Sequence, residues 1–180
     1  MTSSSLSAAF PAHPVLVVMG VSGVGKSTVA ALLSERLGWD FAEGDTMHPT
    51  ANVEKMAAGH PLDDTDRWPW LEIVASWIRQ HEEAGEPGII TCSALKRSYR
   101  DVLRGPGVVF VHLAGPTDLI GDRLSKRVDH FMPPGLLDSQ VATLEPLGAD
   151  EAHVVVDAGR APETEVDEIL SELDLGAGVG

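Results

Sequence analysis

Short apolar runs alternate along most of the chain with segments of helical periodicity. The runs fall at residues 15–19, 40–42, 88–92, 108–113 and 153–156, and each has the length of a buried strand. Strands that alternate with helices in this way form a parallel sheet with helices on both faces. The pattern therefore predicts an α/β fold built on five strands.

Four of the intervening segments carry apolar side chains at intervals of three and four residues. They begin near residues 29, 69, 116 and 162, and proline stands at or near the start of the last three. The segment with Pro69 near its first turn shows the strongest periodicity, with tryptophans at 70 and 77 on one face. We interpret these tryptophans as core side chains.

The periodicity fails over residues 128–137, where two prolines and a glycine follow an aromatic residue. We predict a lid at about residues 124–138 that closes over a bound nucleotide and excludes water; an ordinary surface connection is the alternative. We expect a disordered Ser-rich leader at 1–14 and a disordered Gly-rich tail at 176–180. Residues 15–175 are predicted to form a single domain.

A glycine-rich string separates the first strand from the first helix. Residues 20–27 read G-V-S-G-V-G-K-S, the pattern of a phosphate-binding P-loop, and a plain glycine-rich turn is the alternative. Main-chain N–H groups and the positive end of the next helix surround nucleotide phosphates in such a loop. The string therefore predicts binding of a nucleoside triphosphate. The predicted contacts are Gly20, Val21, Ser22, Gly23, Val24, Gly25, Lys26, Ser27 and Thr28.

Residues at the ends of the first two strands supply candidate chemistry for phosphoryl transfer. Lys26 is expected to reach the β- and γ-phosphates, and the Ser27 hydroxyl to bind Mg²⁺. Asp45 follows the second strand, at the edge where α/β sheets bind ligands, and is a candidate to orient or deprotonate an attacking hydroxyl. Glu43 is placed to act through the metal's water shell, and a turn or capping role is the alternative for both carboxylates. His48 is a candidate hydrogen-bond partner for a polyhydroxylated substrate.

The charge balance changes what the site can be expected to bind. The net charge of −14 argues against nucleic acid and membrane surfaces as partners. The single cysteine, Cys92, excludes an intramolecular disulfide and fits a reducing, cytoplasmic compartment. Residues 96–127 nevertheless carry seven basic side chains against three acidic ones. This local excess predicts a small anionic ligand.

Three arginines are candidates to meet that anion. Arg123 and Arg127 are four positions apart, so they share one helix face beside the predicted lid and are placed to stabilise the charge on a transferring phosphoryl group. A solvated helix face is the alternative. Arg67 stands among aspartates ahead of the tryptophan helix, and its planar guanidinium suits a carboxylate; pairing with Asp63 or Asp64 is the alternative. The aspartates themselves are expected to interact with the helix N-terminus.

Several strings, in order from residue 15 to residue 156, resemble the gluconokinase family of P-loop sugar-acid kinases. They are M-G-V-S-G at 19–23, E-G-D at 43–45, H-P at 48–49, N-V-E-K-M at 52–56, P-L-D-D at 61–64, D-R at 66–67, P-W at 69–70, C-S-A-L-K at 92–96, Y-R-D at 99–101, H-F at 130–131, Gln140, T-L-E at 143–145 and Pro146.

This resemblance implies ATP-dependent phosphorylation of D-gluconate at its 6-hydroxyl, giving 6-phospho-D-gluconate for the pentose phosphate or Entner–Doudoroff route. It also implies a fold similar to shikimate and nucleoside-monophosphate kinases, with sheet order 2-3-1-4-5, and a homodimer. A shikimate-type kinase is the nearest alternative, but such enzymes have a glycine-rich turn where this chain has Cys92-Ser93-Ala94. A non-enzymatic nucleotide switch is the other, although the chain has no Asn-Lys-x-Asp string.

The resemblance implies a role for individual residues. It places ATP and Mg²⁺ on Lys26 and Ser27 and the acceptor hydroxyl on Asp45. The remaining implied contacts are the substrate residues His48, Arg67, Lys96, Arg100 and His130, the lid arginines Arg123 and Arg127, and Asp157 in the adenine-wrapping segment 157–162. Two positions depart from the family pattern: Asp129 replaces an expected glycine in the lid, and Glu43 replaces the first aspartate of a D-x-D string.

Overall fold

The computed structural model of the 180-residue chain describes residues 10–11, 13–116, 119–120 and 136–175. Five parallel strands form one sheet in the order β2-β3-β1-β4-β5. The strands are β1 Val15–Met19, β2 Asp40–Glu43, β3 Gly88–Thr91, β4 Val108–Ala114 and β5 His153–Asp157. The predicted α/β fold and the sheet order implied by the family resemblance are therefore confirmed, and each strand ends within one residue of its predicted position.

Helices cover both faces of this sheet. Those that lie wholly within the described residues are α1 Lys26–Leu37, α2 Thr50–Ala57, α3 Asp64–Ala84, α4 Arg97–Leu103, α5 Leu136–Thr143 and α6 Pro162–Glu172, with a 3₁₀ turn at Gly44–Met47. None of the helices in the described part of the chain is long and apolar enough to cross a membrane.

The central strand β1 divides the core into two layers. Successive side chains of a strand point to opposite faces, so Leu16 and Val18 pack toward α1 and α6 while Val17 and Met19 pack toward α3. All four side chains are fully buried. Each such burial contributes roughly 1.5–3 kcal/mol relative to exposure, so both layers hold the carboxyl end of β1 rigidly beneath the loop that follows it.

Helix α3 begins earlier than its apolar pattern predicts. Asp63 is its N-cap: the Asp63 carboxylate accepts from the main-chain N of Asp66 at 2.9 Å, and the Asp66 carboxylate accepts from the main-chain N of Asp63 at 2.9 Å. This reciprocal capping box starts the helix at residue 64, so Pro69 lies inside it rather than in its first turn. The expected interaction of the aspartates with the helix N-terminus is confirmed, although they form the first turn instead of preceding it.

Several predictions fall outside the described residues, wholly or in part. They concern most of the leader at 1–14, the tail at 176–180, the helix expected from residue 116, and most of the lid at 124–138. The described part shows that α5 already begins at residue 136, so the irregular stretch predicted for 128–137 extends too far by two residues. The short helices α2, α4 and α5 have no counterpart in the periodicity analysis.

Candidate active site

The P-loop turns the chain from β1 into α1 over the carboxyl end of the sheet. Gly20 has φ 145°, and a Cβ placed there would lie 2.7 Å from the main-chain O of Leu113. Gly25 has φ 105° and is the N-cap of α1, which has no side-chain cap and no acidic residue in its first turn. Backbone N–H groups at the start of α1 are therefore available to an anion, and no nearby carboxylate in that turn offsets the helix dipole.

Lys26 is the first residue of α1 and folds back across this loop. Its Nζ donates to the main-chain O of Gly20 at 2.9 Å and to that of Val21 at 3.0 Å. The ammonium group is thus held at the mouth of the loop by the loop's own carbonyls. A phosphate bound by the loop amides would meet this positive charge directly.

The last residue of β2 meets the second residue of α1. Ser27 Oγ donates to Glu43 Oε2 at 3.0 Å, and Thr91 Oγ1 donates to the same oxygen at 2.8 Å. Thr91 lies beside Glu43 in the sheet register, at the end of β3. These hard oxygen donors are of the kind that Mg²⁺ prefers. No group of three or more His, Cys, Asp or Glu side chains suited to a metal occurs among the described residues, so any Mg²⁺ here would depend on phosphate oxygens as well.

The sequence did not reveal the role of Thr91 or the need for glycine at position 44, where the turn that carries Asp45 begins. A Cβ on Gly44 would lie 2.1 Å from the main-chain O of Thr91, so only glycine fits. The main-chain N of Gly44 donates to Thr91 Oγ1 at 3.2 Å, and its O accepts from Trp70 Nε1 at 2.8 Å. Asp45 itself is exposed. A fixed turn therefore presents the Asp45 carboxylate at the surface beside the P-loop end of the sheet.

His48 follows that turn and is half-buried. Its ring stacks on Trp70 with centroids 4.1 Å apart, and its Nδ1 lies 3.2 Å from Nδ2 of Asn52. Burial lowers the pKa of His48; Asp45 acts in the opposite direction, and Arg67 lowers it further. The structure thus brings together the predicted site residues Asp45, His48 and Arg67. Asn52 is a further partner of His48 that the sequence did not single out.

Next to this group lies a cavity of about 570 Å³ with basic residues in its wall. Arg67 and Lys96 both line it, and both lie against Asp64: Lys96 Nζ is 3.2 Å from each Asp64 carboxylate oxygen, and Arg67 Nη1 is 3.9 Å from Asp64 Oδ1. Tyr99, also in the wall, donates its hydroxyl to Asp64 and accepts from Arg67 Nη1 at 3.0 Å. Hydrogen bonds from Tyr99 and then Lys96 hold the pKa of Asp64 below its usual range.

Both hypotheses for Arg67 are compatible with this cluster. Arg67 does contact Asp64, as the structural alternative required, yet it also faces the cavity together with Lys96. Arg67 and Lys96 share the Asp64 carboxylate, and Asp63 also lines the cavity, so the charges of the wall balance; the two cations side by side can still meet a small anion.

Arg100 does not lie in this wall, and its placement corrects the expectation that it meets the substrate. Its side chain is fully buried, and Nε donates to Glu151 Oε2 at 2.6 Å. Nη1 donates to the main-chain O of Ala94 and of Leu95, and Nη2 to that of Glu145. These partners engage the guanidinium in the packing between α4 and the chain before β5. Arg100 therefore supports the loop that leads to Lys96 rather than the ligand.

Gln140 joins the P-loop to the cavity. Its Oε1 accepts from the main-chain N of Ser22 at 2.7 Å, and its Nε2 donates to Ser22 Oγ at 3.1 Å. Gln140 lies on α5 and lines the same cavity as Arg67 and Lys96. Sequence reasoning noted Gln140 only as part of a family string, because nothing in the local pattern predicts a contact across 118 positions.

A second cavity, of about 310 Å³, adjoins the outer side of the P-loop. It is lined by Gly23, Gly25 and Thr28 of the loop and helix and by Arg160 and Pro162 after β5. The predicted adenine segment therefore reaches the predicted phosphate loop. Asp157 does not line the cavity; its Oδ1 accepts from the main-chain N of Gly159 at 2.8 Å and so shapes the turn. The predicted site residues Arg123, Arg127 and His130, and the departure at Asp129, lie outside the described residues.

The chain is similar to known proteins over most of its length. A family model described as "AAA domain" matches residues 15–147. A gluconokinase of Gluconobacter oxydans is 52% identical over 86% of this chain and 88% of its own length. The chain belongs to the gluconokinase family. The predicted resemblance is thereby confirmed.

Solved structures agree with this family assignment. A sugar kinase from Janibacter sp. is 49% identical, covers 93% of this chain and 98% of its own, and superposes with a TM-score of 0.85. A gluconokinase from Sinorhizobium meliloti is 43% identical, covers 89% and 91%, and has a TM-score of 0.81. A shikimate kinase from Aquifex aeolicus, at 18% identity and a TM-score of 0.54, is similar in fold alone. The comparison thus favours the gluconokinase prediction over the shikimate-type alternative.

Proposed function

We propose that this protein transfers the γ-phosphoryl group of ATP to the 6-hydroxyl of D-gluconate, giving 6-phospho-D-gluconate and ADP. The observation that carries the proposal is the junction at Gln140, where a P-loop with family sequence meets a cavity walled by Arg67 and Lys96. A nucleotide triphosphate and a small hydroxylated anion can therefore occupy adjoining sites. Neither site alone would distinguish this reaction from other P-loop chemistry.

On the phosphate side, the P-loop amides and Lys26 bind the triphosphate, and the segment 157–162 borders the adenine. Ser27 and Glu43 would hold Mg²⁺, with Thr91 orienting the Glu43 carboxylate, because their oxygens already converge within hydrogen-bond distance. Bound Mg²⁺ supplies neutralisation of phosphate charge. The proposed role of Glu43 follows from its position, even though it replaces an aspartate of the family pattern.

On the acceptor side, Asp45 orients the 6-hydroxyl and receives its proton as the oxygen attacks. The new bond joins this oxygen to the γ-phosphorus, the bond from that phosphorus to the β,γ-bridging oxygen breaks, and the electron pair leaves with ADP. Transfer of this kind depends on alignment and on charge stabilisation, with no covalent enzyme intermediate. Arg123 and Arg127 are proposed to complete the positive shell around the transferring group when the lid closes.

The rest of the acceptor binds through side chains in the cavity wall and beside it. Arg67 and Lys96 are proposed to meet the gluconate carboxylate and hydroxyls, with His48 and the lid residue His130 as further hydrogen-bond partners. Arg100 is proposed to act indirectly, by holding the loop before α4. We also propose a cytoplasmic homodimer whose product feeds the pentose phosphate or Entner–Doudoroff route.

An assay of ADP release with a panel of acceptors tests the proposal. We expect phosphorylation of D-gluconate in preference to other aldonic acids, shikimate and nucleoside monophosphates, and product analysis by ³¹P NMR should place the phosphate on O6. Chelation of divalent cations by EDTA should stop turnover, and added Mg²⁺ should restore it. Turnover with shikimate or a nucleoside monophosphate but not with gluconate would contradict the substrate assignment.

A further inference from the structure

The ring of His48 is held on two sides. One face stacks on Trp70, with the ring planes inclined by 17°, and one edge meets Asn52. Trp70 is itself fixed, because its Nε1 donates to the main-chain O of Gly44. The imidazole is thereby tied to the turn that carries Asp45, and its rotation is restricted.

The orientation of the Asn52 amide decides which nitrogen of His48 carries the proton. Nδ2 of Asn52 lies 2.9 Å from the main-chain O of Asp66, and a carbonyl oxygen can only accept a hydrogen bond. The group facing Asp66 is therefore the NH₂ group, and the same nitrogen lies 3.2 Å from His48 Nδ1. Its second hydrogen needs a lone pair on Nδ1. Asn52 is only 4% exposed, so water offers its amide little competition.

An unprotonated Nδ1 leaves Nε2 as the N–H group of a neutral ring. Protonating Nδ1 would direct its hydrogen at the Asn52 NH₂ group, so the imidazolium is disfavoured by contact as well as by the burial that lowers the pKa of His48. The charged groups that act on the ring are Asp45, which favours protonation, and Arg67, which opposes it. Nε2 hydrogen-bonds to none of the described residues, and the His48 side chain is only partly buried. It is therefore available to a ligand.

We propose that Asn52 is a positioning residue that fixes His48 as the neutral Nε2–H tautomer, and that His48 donates one hydrogen bond to an oxygen of the sugar acid. This inference rests on the proposed function, because it assigns a polyhydroxylated acid to the same site. A donor of this kind cannot take the acceptor's proton. Proton acceptance then falls to Asp45, and His48 contributes to recognition of a hydroxyl or carboxylate oxygen.

The tautomer can be measured without any substrate. Long-range ¹H–¹⁵N correlation spectra of the full-length protein, with His48 assigned by comparison with His48→Gln, should show a neutral Nε2–H ring from pH 6 to pH 8. In Asn52→Ala the ring should become a mixture of tautomers, and the pKa of His48 should be higher than in the wild type while burial still holds it below the ordinary value. Should Asn52→Ala fail to fold, Asn52→Ser makes the same test. An imidazolium or Nδ1–H ring in the wild type at pH 7, or spectra unchanged by the Asn52 variants, would overturn the inference.

A matched pair of variants tests the donor role. The side-chain amide of His48→Gln reaches about as far as Nε2, whereas that of His48→Asn reaches only as far as Nδ1. We expect kcat/KM for gluconate to be at least about tenfold lower in His48→Asn than in His48→Gln, with KM for ATP changed less than about twofold in both. Asn52→Ala should move the His48 ionisation in the kcat/KM profile to a higher pH than in the wild type, which a purely structural role would not do.

Loss of the donor role and loss of the proposed function would give different results. Equal kcat/KM in the Gln and Asn variants, with gluconate still the wild-type substrate, would remove His48 as a donor and leave the kinase assignment intact. A wild type that phosphorylates no aldonic acid would refute the proposed function, while the tautomer measured by NMR would still be decided by its own spectrum.

Discussion

The phosphate end and the acceptor end of this site are built in different ways. The phosphate end consists of consecutive residues, 20–27, whose main-chain groups and one lysine form the binding surface. The acceptor end consists of side chains from separate elements: Lys96 and Tyr99 reach Asp64 across 32 and 35 positions. A short string can specify the first, whereas the second exists only after α3 and α4 have packed together. Substitutions at the two ends should therefore fail in different ways.

The largest effect is expected at the phosphate end from Lys26→Ala. Loss of the ammonium group removes positive charge from the position of the β- and γ-phosphates, so kcat should fall by about a thousandfold or more. The thermal midpoint should change little, because solvent can hydrogen-bond the two loop carbonyls that Lys26 Nζ meets. Arg79→Ala, at an exposed position on α3, is the control and should leave kcat unaltered. Turnover above a tenth of the wild type would contradict this role.

Asp45→Asn tests the point where the two ends meet. The amide keeps the size of the side chain but cannot receive the hydroxyl proton, so we expect kcat to fall by about a hundredfold or more. Calorimetric binding of Mg-ATP should be preserved, since Asp45 lies outside the P-loop. Asp167→Asn, on the exposed side of α6, serves as the matched control. Near-normal turnover in Asp45→Asn would remove this residue from the mechanism.

Substitutions of Arg67 and Arg100 should separate an effect on substrate binding from an effect on folding stability. Arg67→Met removes one cation from the cavity wall and should raise KM for gluconate by about tenfold to a hundredfold, with a small change in stability. Arg100→Met leaves the buried Glu151 without its buried cationic partner and only Arg97, at 3.7 Å, as a cation, which should cost roughly 3–5 kcal/mol of unfolding free energy in urea. The double variant Arg100→Met/Glu151→Leu should recover part of that loss. A stable Arg100→Met protein with a raised KM would restore Arg100 to the substrate site.

The smallest effect concerns His112 on β4, which lines neither cavity. It is 8% exposed, and burial, then Arg100, then His153 lower its pKa. Below the ordinary histidine pKa of about 6.5 the unfolded chain binds a proton that the folded protein does not, so stability should decline as the pH falls from 7 to 5.5. His112→Gln should reduce this decline in thermal melts, and His60→Gln, at an exposed position, should not. Identical slopes in all three proteins would contradict the assignment.

The same difference between the two ends explains what the sequence could predict. The P-loop and the five strands are local patterns, so an eight-residue string and five apolar runs identified them correctly. The start of helix α3 was predicted too late because Pro69 resembles a first-turn proline. The capping pair Asp63 and Asp66 marks the true start of the helix. Thr91 was missed because only the sheet register brings it beside Glu43.

Arg100 and Gln140 show what local patterns cannot supply. Counting charges along residues 96–127 identifies an excess of basic side chains but does not tell which of them will be buried. Arg100 was predicted in the binding site, yet tertiary packing gives it Glu151 and several carbonyls as partners. Gln140 contacts Ser22 only because α5 returns to the sheet's carboxyl edge. Both outcomes depend on long-range geometry.

The two hydrogen bonds between Gln140 and Ser22 have a thermodynamic consequence for the binding of ATP and gluconate. The Gln140 amide hydrogen-bonds to Ser22 of the P-loop and also lines the proposed gluconate cavity. Binding of either ATP or gluconate would therefore perturb this hydrogen-bonded contact. Such linkage is reciprocal: any factor by which gluconate strengthens ATP association must equal the factor by which ATP strengthens gluconate association. Heterotropic cooperativity in this enzyme would then be carried by one glutamine.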